Sequence, residues 1–295
     1  MIEIRRVGVL GCGLMGSGIA QVAAAAGYDT LVRDVAPEIW TRARAGIEKS
    51  LAKFMEKGEF GPADRDATLK RLAFTTATAD LKGCDIIVEA VTEELDLKNA
   101  LWKELDGLCR TATIFASNTS SLTIAAMAAV TKRGDRFVGL HFFNPVPLMP
   151  LVEVVRTVTT SDQTYARAFA FAQSLGKEPV AAKDTSGFIV NLLLVPYLLD
   201  AIRAVEHRVG TVTDIDKAMR LGCGHPMGPL TLLDFVGLDT TSKIAEIMFC
   251  EYREPRYAPP PLLKRMVLAG MTGRKSGKGF YDYSVDPPKP SELGI

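Results

Sequence analysis

A short glycine-rich turn near the start of the chain limits the possible folds more than any other feature. Gly11, Gly13 and Gly16 form a G-x-G-x-x-G pattern between the apolar run 7–10 and the alanine-rich stretch 19–26. A buried strand, a tight turn and a helix in this order form a cradle for phosphate. The first glycine permits the turn, the second lets a pyrophosphate approach the backbone, and the third lets the helix pack closely. The pattern predicts a dinucleotide-binding βαβ unit.

An acidic residue at the end of the next predicted strand bears on which dinucleotide is bound. Asp34 follows the apolar run 30–32. A carboxylate at this place accepts hydrogen bonds from the ribose hydroxyls and repels a 2′-phosphate. The sequence therefore predicts NAD as the cofactor rather than NADP. The neighbouring Arg33 weakens this discrimination, although adjacent strand residues point to opposite faces.

Strand and helix patterns alternate through the first part of the chain. This alternation predicts an α/β fold, with an N-terminal Rossmann-type domain and a mostly parallel sheet. After residue 185 the strand signals become few, and we predict an all-helical C-terminal domain. The predicted domains are residues 1–185, which bind NAD, and residues 186–295, which serve substrate binding and dimerisation. The predicted strands are 7–10, 30–32, 85–88, 114–116, 137–140 and 151–155, and the predicted helices are 19–26, 38–57, 95–108, 188–206, 214–221, 231–235 and 262–268.

Composition excludes several classes of function. The chain has 35 basic and 34 acidic residues, so no excess of positive charge is available to hold a nucleic acid. Five cysteines without a C-x-x-C spacing, together with only three histidines, argue against a metal site or a disulfide framework. The most apolar stretch, 188–202, is too short to cross a bilayer. With no visible targeting segment, we predict a cytoplasmic protein without membrane contact.

A histidine and a glutamate are the candidate acid–base pair. His141 follows the predicted strand 137–140, at the carboxyl end where open α/β sheets bind ligands. An imidazole is a side chain that can take or give a proton near neutral pH, so it is suited to proton transfer. Glu153 is the single acid in the apolar segment 151–155, so it needs a partner if it is buried. We predict that it orients His141, with a solvated Glu153 on an edge strand as the alternative.

Two further polar sites follow from the same reasoning. The cluster 117–121 follows the strand 114–116 and suits either contacts to a substrate hydroxyl or the N-cap of a helix. Asn191 is the one polar residue in the segment 188–194. A buried amide needs partners, so it either reaches a ligand or bonds to a neighbouring helix.

Several ordered motifs resemble the short-chain L-3-hydroxyacyl-CoA dehydrogenases, with bacterial 3-hydroxybutyryl-CoA dehydrogenases closest in style. The resemblance covers nearly the whole chain. It is carried by the stretches 11–21, 117–122, 139–145, 184–191, 226–229, 237–239 and 275–281.

This resemblance implies reversible, NAD-dependent oxidation of a 3-hydroxyacyl-CoA to the 3-ketoacyl-CoA, a reaction of fatty-acid and lipid metabolism. It implies that His141 is the general base, that Glu153 orients it, and that Ser120 and Asn191 hold the substrate oxygen. It also places Glu93 and Lys98 along the cofactor. The full set of predicted cofactor contacts is Gly11, Gly13, Leu14, Met15, Gly16, Asp34, Glu93, Lys98 and Asn118.

The resemblance further implies where CoA binds and how the chain assembles. It places CoA against the helix that follows the second strand, where Ser50 and Lys57 lie. It also implies a homodimer formed by the helical domain. The stretch 188–199 is more apolar than one helix face requires, which agrees with burial against a second copy. A central helix of a monomeric domain would explain the same pattern.

Two other functions are compatible with parts of the sequence. A related β-hydroxyacid dehydrogenase that acts on a free acid would share the nucleotide-binding fold, but those enzymes use a catalytic lysine, and the stretch 139–145 argues against them. A structural relative that only binds nucleotide is the second alternative. The presence of His141, Glu153, Ser120 and Asn191 together argues against a purely structural protein.

Overall fold

The structure is a computed structural model that describes residues 4–294. Residues 1–3, which contributed to the prediction about targeting, and residue 295 lie outside the described part. The chain divides after Phe188 into two compact units. In the described residues, none of the helices combines the length and the apolar character that a membrane span requires.

The first unit is built on one eight-stranded sheet. Its strand order is β3-β2-β1-β4-β5-β6-β7-β8, and all neighbours are parallel except β6 and β7, which are antiparallel. The order reverses at β1, which lies between β2 and β4, and a crevice for ligands forms at such a switch point. The strands are β1 (Arg6–Leu10), β2 (Asp29–Arg33), β3 (Leu72–Thr75), β4 (Ile86–Glu89), β5 (Ile114–Ser117), β6 (Phe137–Phe142), β7 (Leu151–Arg156) and β8 (Glu178–Lys183).

Helices cover both faces of this sheet because the central strands are apolar on both sides. In β1, Val7 and Val9 belong to one buried cluster, whereas Leu10 belongs to the other. The second cluster contains Trp102, whose ring centroid lies 4.8 Å from that of Phe115. The helices are α1 (Leu14–Ala25), α2 (Pro37–Glu56), α3 (Pro62–Lys70), α4 (Leu95–Leu108), α5 (Ile124–Ala128) and α6 (Asp162–Ser174).

The second unit has its own apolar core, built from helices and closed by a short β-ribbon. Two buried aspartates hold its chain segments together. Asp216 accepts hydrogen bonds from the backbone N–H groups of Leu230 and Thr231, and Asp234 accepts them from Phe280 and Tyr281. Its elements are α7 (Val190–Glu206), α8 (Val212–Cys223), α9 (Pro229–Val236), α10 (Leu238–Tyr252), α11 (Pro261–Leu268), β9 (Tyr281–Asp282) and β10 (Lys289–Pro290).

The predicted α/β class, the mostly parallel sheet and the helical C-terminal domain are confirmed, with one correction. The second unit is not all helical, because β9 and β10 pair in an antiparallel ribbon. The sequence analysis also missed several elements that lack strong apolar periodicity. β8 lies at the sheet edge with four of its six residues exposed, and α3 is mostly polar. The missed elements are α3, β3, α5, α6, β8, α10 and the ribbon.

Candidate active site

The three glycines of the turn after β1 meet different surroundings. Gly11 has φ +86°, and a Cβ there would lie 2.7 Å from the carbonyl oxygen of Ala90. A Cβ on Gly16 would overlap with the carbonyl group of Gly11. A Cβ on Gly13, in contrast, would meet no protein atom within 4 Å. Helix α1 begins directly after Gly13 without a side-chain cap. Open space beside uncapped N–H groups fits a pyrophosphate.

Asp34 lies directly beyond β2 and contacts the glycine turn. Its carboxylate accepts hydrogen bonds from the backbone N–H of Cys12 at 2.6 Å and from that of Val35 at 2.6 Å. Burial, with the nearby Asp34 carboxylate, raises the pKa of the Cys12 thiol to about 11. That thiol is therefore neutral at physiological pH, which agrees with a small space-filling side chain rather than a redox group.

The predicted pairing of His141 with Glu153 has a simple structural origin. β6 extends two residues beyond its predicted end, so His141 lies within the strand, and it stands directly opposite Glu153 in the antiparallel register with β7. Nδ1 of His141 lies 2.6 Å from Oε2 of Glu153. Both side chains are buried. The alternative, a solvated Glu153 on an edge strand, is wrong. β8 pairs with β7, so β7 is not an edge strand, and Glu153 is buried.

The other ring nitrogen of His141 faces a serine. Nε2 lies 3.1 Å from Oγ of Ser120, and the ring packs beside Phe143 and Phe188. A carboxylate at Nδ1 favours the tautomer with the proton on Nδ1, which leaves the lone pair of Nε2 as the base. The arrangement can therefore remove a proton from a hydroxyl group placed near Ser120.

Hydrogen bonds to Glu93 hold the loop 117–121 in place. One carboxylate oxygen of Glu93 accepts hydrogen bonds from the Thr119 hydroxyl, the backbone N–H of Ser120 and the Ser121 hydroxyl. The loop is not the N-cap of the following helix. Asp184 takes that place, because its carboxylate accepts the first backbone N–H groups of α5. The loop is thereby shaped to present Ser120.

Glu93 also belongs to a buried ionic cluster with Lys98 and Glu89. Nζ of Lys98 lies 2.6 Å from Glu89 and 3.2 Å from Glu93. Glu89 also accepts a hydrogen bond from the Ser117 hydroxyl at 2.6 Å. Burial by itself raises the pKa of Glu93, but the Lys98 ammonium and the hydrogen bonds from Thr119 and Ser120 outweigh it, so the pKa lies below its usual range. Glu93 is thus ionised at neutral pH.

Sequence reasoning missed Glu89, although a signal for it existed. Glu89 ends the apolar run 86–88, just as Glu153 stands alone in its apolar strand. The argument that a lone buried acid needs a partner applies equally to both residues. The partner of Glu89 lies nine positions away in the chain, in the second turn of α4.

A cavity of about 310 Å³ lies along α2 near the predicted CoA residues. Ser50 and Lys57 line it, together with Lys49 and Lys53 on the same helix. The opposite wall is formed by the proline-rich loop that follows β6. The sequence analysis did not identify a residue that anchors this loop to the rest of the domain. Lys177 is its anchor, because its buried ammonium donates to the carbonyl groups of Val146 and Met149 at 2.6 and 2.9 Å.

The remaining predicted residues lie on different elements. Oδ1 of Asn118 accepts a hydrogen bond from the backbone N–H of Phe142 at 2.9 Å, which ties the loop to the end of β6. Leu14 and Met15 form the first turn of α1. Asn191 lies in the first turn of α7, in the second unit.

Comparisons with known proteins agree over nearly the whole chain. Residues 6–185 match the NAD binding domain of 3-hydroxyacyl-CoA dehydrogenase, and residues 187–283 match the C-terminal domain of the same family. A 3-hydroxybutyryl-CoA dehydrogenase of Mycobacterium tuberculosis is 51% identical over 282 residues, covering 95% of this chain and 99% of the relative. The human mitochondrial hydroxyacyl-coenzyme A dehydrogenase is 48% identical, covering 96% and 92%.

A solved structure of a related enzyme has the same fold as this chain. The crystal structure of an (S)-3-hydroxybutyryl-CoA dehydrogenase from Ralstonia eutropha has a TM-score of 0.92 and 43% identity, and the match covers 96% of this chain and 100% of that one. Both halves of the chain thus match one family in sequence, and the fold matches a solved structure named for the same chemistry. The chain belongs to the 3-hydroxyacyl-CoA dehydrogenase family.

Proposed function

We propose that this protein oxidises (S)-3-hydroxyacyl-CoA to 3-ketoacyl-CoA with NAD⁺ and also catalyses the reverse reduction, with 3-hydroxybutyryl-CoA as a substrate. The names of its relatives support the substrate class. The observation that carries the proposal is the position of His141, bonded on one side to Glu153 and on the other to Ser120. A buried carboxylate–imidazole–hydroxyl chain is suited to proton transfer to and from an alcohol.

In this proposal each site residue has a separate role in the reaction. Ser120 and Asn191 hold the substrate oxygen, and Nε2 of His141 takes the hydroxyl proton as the C3–H bond breaks. Glu153 stabilises the imidazolium that forms, because its carboxylate stays hydrogen-bonded to Nδ1. NAD⁺, when bound, would supply the acceptor for the hydride that leaves C3. The products are the ketone, NADH and one proton on His141, so charge and electrons balance.

The cofactor is proposed to lie across the switch point of the sheet. The pyrophosphate fits the open space at Gly13, and Asp34 receives the adenosine ribose hydroxyls. Glu93, Lys98 and Asn118 then lie at the half of the sheet that receives the nicotinamide. The predicted contacts with Gly11, Leu14, Met15 and Gly16 follow from their places in the turn and the first turn of α1.

The CoA group is proposed to bind along α2. Ser50 and Lys57 line a cavity that also presents the ammonium groups of Lys49 and Lys53. CoA carries several phosphate groups, and clustered cations of this kind attract them. A free hydroxy acid has no such phosphates, so this feature favours an acyl-CoA substrate over the free-acid alternative.

The first test is an assay of acetoacetyl-CoA reduction, followed by the absorbance of the reduced nicotinamide, with NADH and NADPH in parallel. Fast consumption of NADH alone is the expected result. Turnover of a free 3-hydroxy acid without turnover of acyl-CoA would replace the proposal by the free-acid alternative. Binding of NADH without turnover of either substrate would favour a structural protein that only binds nucleotide.

We further propose that the protein is a homodimer, formed through its helical unit. Ile189 and Leu193 near the start of α7 expose 39% and 65% of their surface, as an interface with a second copy would require. Sedimentation velocity distinguishes a dimer from a monomer of 31.9 kDa. The cytoplasmic location expected from the sequence remains a prediction.

A further inference from the structure

The buried cluster at the carboxyl end of β4 carries an excess of negative charge. Glu89 and Glu93 each contribute one negative charge, and Lys98 contributes one positive charge. Within residues 4–294, Lys98 is the one cation that forms an ion pair with either carboxylate. Glu89 and Lys98 are 0% and 1% exposed, so water screens this charge poorly. The cluster therefore carries a net charge of −1.

The excess charge lies in the part of the fold that receives the nicotinamide. In a doubly wound sheet, the adenosine half lies over β1–β3 and the nicotinamide half over the strands beyond the switch point. Glu89 ends β4, and its partner Ser117 ends β5. Glu93 bonds to the backbone N–H of Ser120, whose hydroxyl contacts His141. One chain of hydrogen bonds thus connects the cluster to the proposed reacting centre.

The two forms of the cofactor differ in charge at the nicotinamide ring. The ring of NAD⁺ carries a formal positive charge, and addition of a hydride removes it. A fixed negative charge nearby therefore stabilises the oxidised form and has little effect on the reduced form. A merely structural carboxylate would affect the binding of both forms equally.

We propose that Glu89, through the net charge of the cluster it forms with Lys98 and Glu93, raises the affinity for NAD⁺ relative to NADH. Glu89 is thereby a specificity-determining residue for the oxidation state of the cofactor, and it acts through the charge of a fully buried side chain. This inference rests on the proposed placement of the cofactor. It goes beyond that proposal, because it concerns the ratio of two affinities and not the identity of the site.

The test compares dissociation constants of NAD⁺ and NADH for the full chain and for Glu89→Gln, without substrate. NADH binding is followed by its fluorescence, and NAD⁺ binding by displacement of NADH. A unit charge at roughly 10 Å, with a protein-like effective dielectric constant, changes an equilibrium constant by about tenfold. We therefore expect the ratio Kd(NAD⁺)/Kd(NADH) to rise by about tenfold in Glu89→Gln.

Glu94→Gln is the matched control. Glu94 precedes α4, in the same short segment, but it is exposed. The substitution removes the same charge where water screens it, so we expect the ratio to change by less than about twofold. An equal change of the ratio in both variants would overturn a role specific to the buried cluster.

Three further outcomes decide the inference. If Glu89→Gln weakens both affinities equally, the charge has no effect on oxidation state and Glu89 only supports the fold. If Glu89→Gln does not fold, Glu93→Gln removes the same charge from a side chain that is 32% exposed. A rise of the ratio in the same direction is expected there, because Glu93→Gln also removes the net negative charge of the cluster, and an unchanged ratio overturns the inference. Absence of NADH binding to the unaltered chain would overturn the cofactor placement as well.

Discussion

At the scale of single residues, the site depends on buried polar groups whose partners are complete. His141 would be costly to bury alone, but Glu153 and Ser120 bond to both of its ring nitrogens. Lys98 is similarly almost fully buried and is bonded by two carboxylates. Such groups are sensitive to substitution, because removal of one partner leaves the other desolvated and unpaired.

We expect His141→Gln to lower turnover by about 10²–10⁴-fold, because the variant lacks the general base. NADH binding should remain close to that of the unaltered chain, since His141 is not among the predicted cofactor contacts. Steady-state kinetics and fluorescence titration measure the two effects separately. Full activity in His141→Gln would eliminate the proposed mechanism.

Glu153→Gln should also lower turnover, because the imidazolium loses its counter-charge.

Asp34→Ala is expected to relax the preference for NADH over NADPH, because the carboxylate that repels a 2′-phosphate is lost. It should also weaken binding of both cofactors, since Asp34 holds the backbone of Cys12 in the glycine turn. The ratio of kcat/KM for the two cofactors is the measurement. An unchanged ratio would show that a group other than Asp34 sets the preference between the two cofactors.

At the scale of elements, the site is assembled by strand register and by loop anchors. The antiparallel pairing of β6 with β7 places His141 and Glu153 opposite each other, although the loop between these strands is rich in proline. Glu93 on one side and Asp184 on the other fix the segment between β5 and α5. A slip of one residue in this register would turn Glu153 to the other face of the sheet.

Two glycine substitutions in the turn after β1 are expected to affect different properties of the protein. Gly13→Ala should retain the thermal stability of the protein, because its Cβ meets no protein atom within 4 Å, but it should weaken NADH binding by occupying the space for the pyrophosphate. Gly16→Ala should lower the melting temperature, because its Cβ overlaps with the carbonyl group of Gly11.

Differential scanning fluorimetry and NADH titration of both glycine variants provide the comparison. Since the two substitutions add the same methyl group three residues apart, each variant serves as the control for the other. A large loss of melting temperature in Gly13→Ala, or normal stability in Gly16→Ala, would contradict the close packing described for the turn.

At the scale of the whole molecule, the two units carry different electrostatic features. The carboxylates that hold the loop and strand ends of the first unit include Glu93 and Asp85. Burial by itself raises the pKa of Asp85, but hydrogen bonds from the backbone of Arg5 and Arg6 and the guanidinium of Arg110 lower it below its usual range. In the second unit, burial outweighs the hydrogen bonds of Asp234 and raises its pKa.

These directions predict that acid destabilises the first unit. A carboxylate whose pKa is lowered in the folded state contributes stability at neutral pH, and that contribution is lost as the pH falls through its unfolded and then its folded pKa. Both tryptophans, Trp40 and Trp102, lie in the first unit, so their fluorescence reports its unfolding. We expect the urea midpoint of this signal to fall between neutral pH and about pH 4.

Glu93→Gln provides the control for this acid effect. The variant should be less stable than the unaltered chain at neutral pH, but the difference between its urea midpoints at neutral and acidic pH should be smaller, because one of the responsible carboxylates is absent. An equally large acid effect in the variant would show that Glu93 does not contribute to it.

The sequence by itself determined the βαβ cradle, the change from an α/β to a helical part and the identity of the family. Gly11, Gly13 and Gly16 indicate their structure locally, because a tight turn between a strand and a helix permits few other residues. α4 was predicted with its observed bounds, Leu95–Leu108, since its apolar residues recur with helical spacing.

The sequence predicted that His141 pairs with Glu153, but only the tertiary structure decided how this pair forms and which other side chains meet. The register of β6 and β7, the capping of α5 by Asp184 and the joining of Glu89 to Lys98 all depend on contacts between segments distant in the chain. For Glu89, the lone acid of an apolar run indicates that a partner exists, but it does not indicate that the partner is Lys98. Edge strands such as β8 escaped prediction for a related reason, because pairing through the backbone, rather than an apolar pattern, holds them in place.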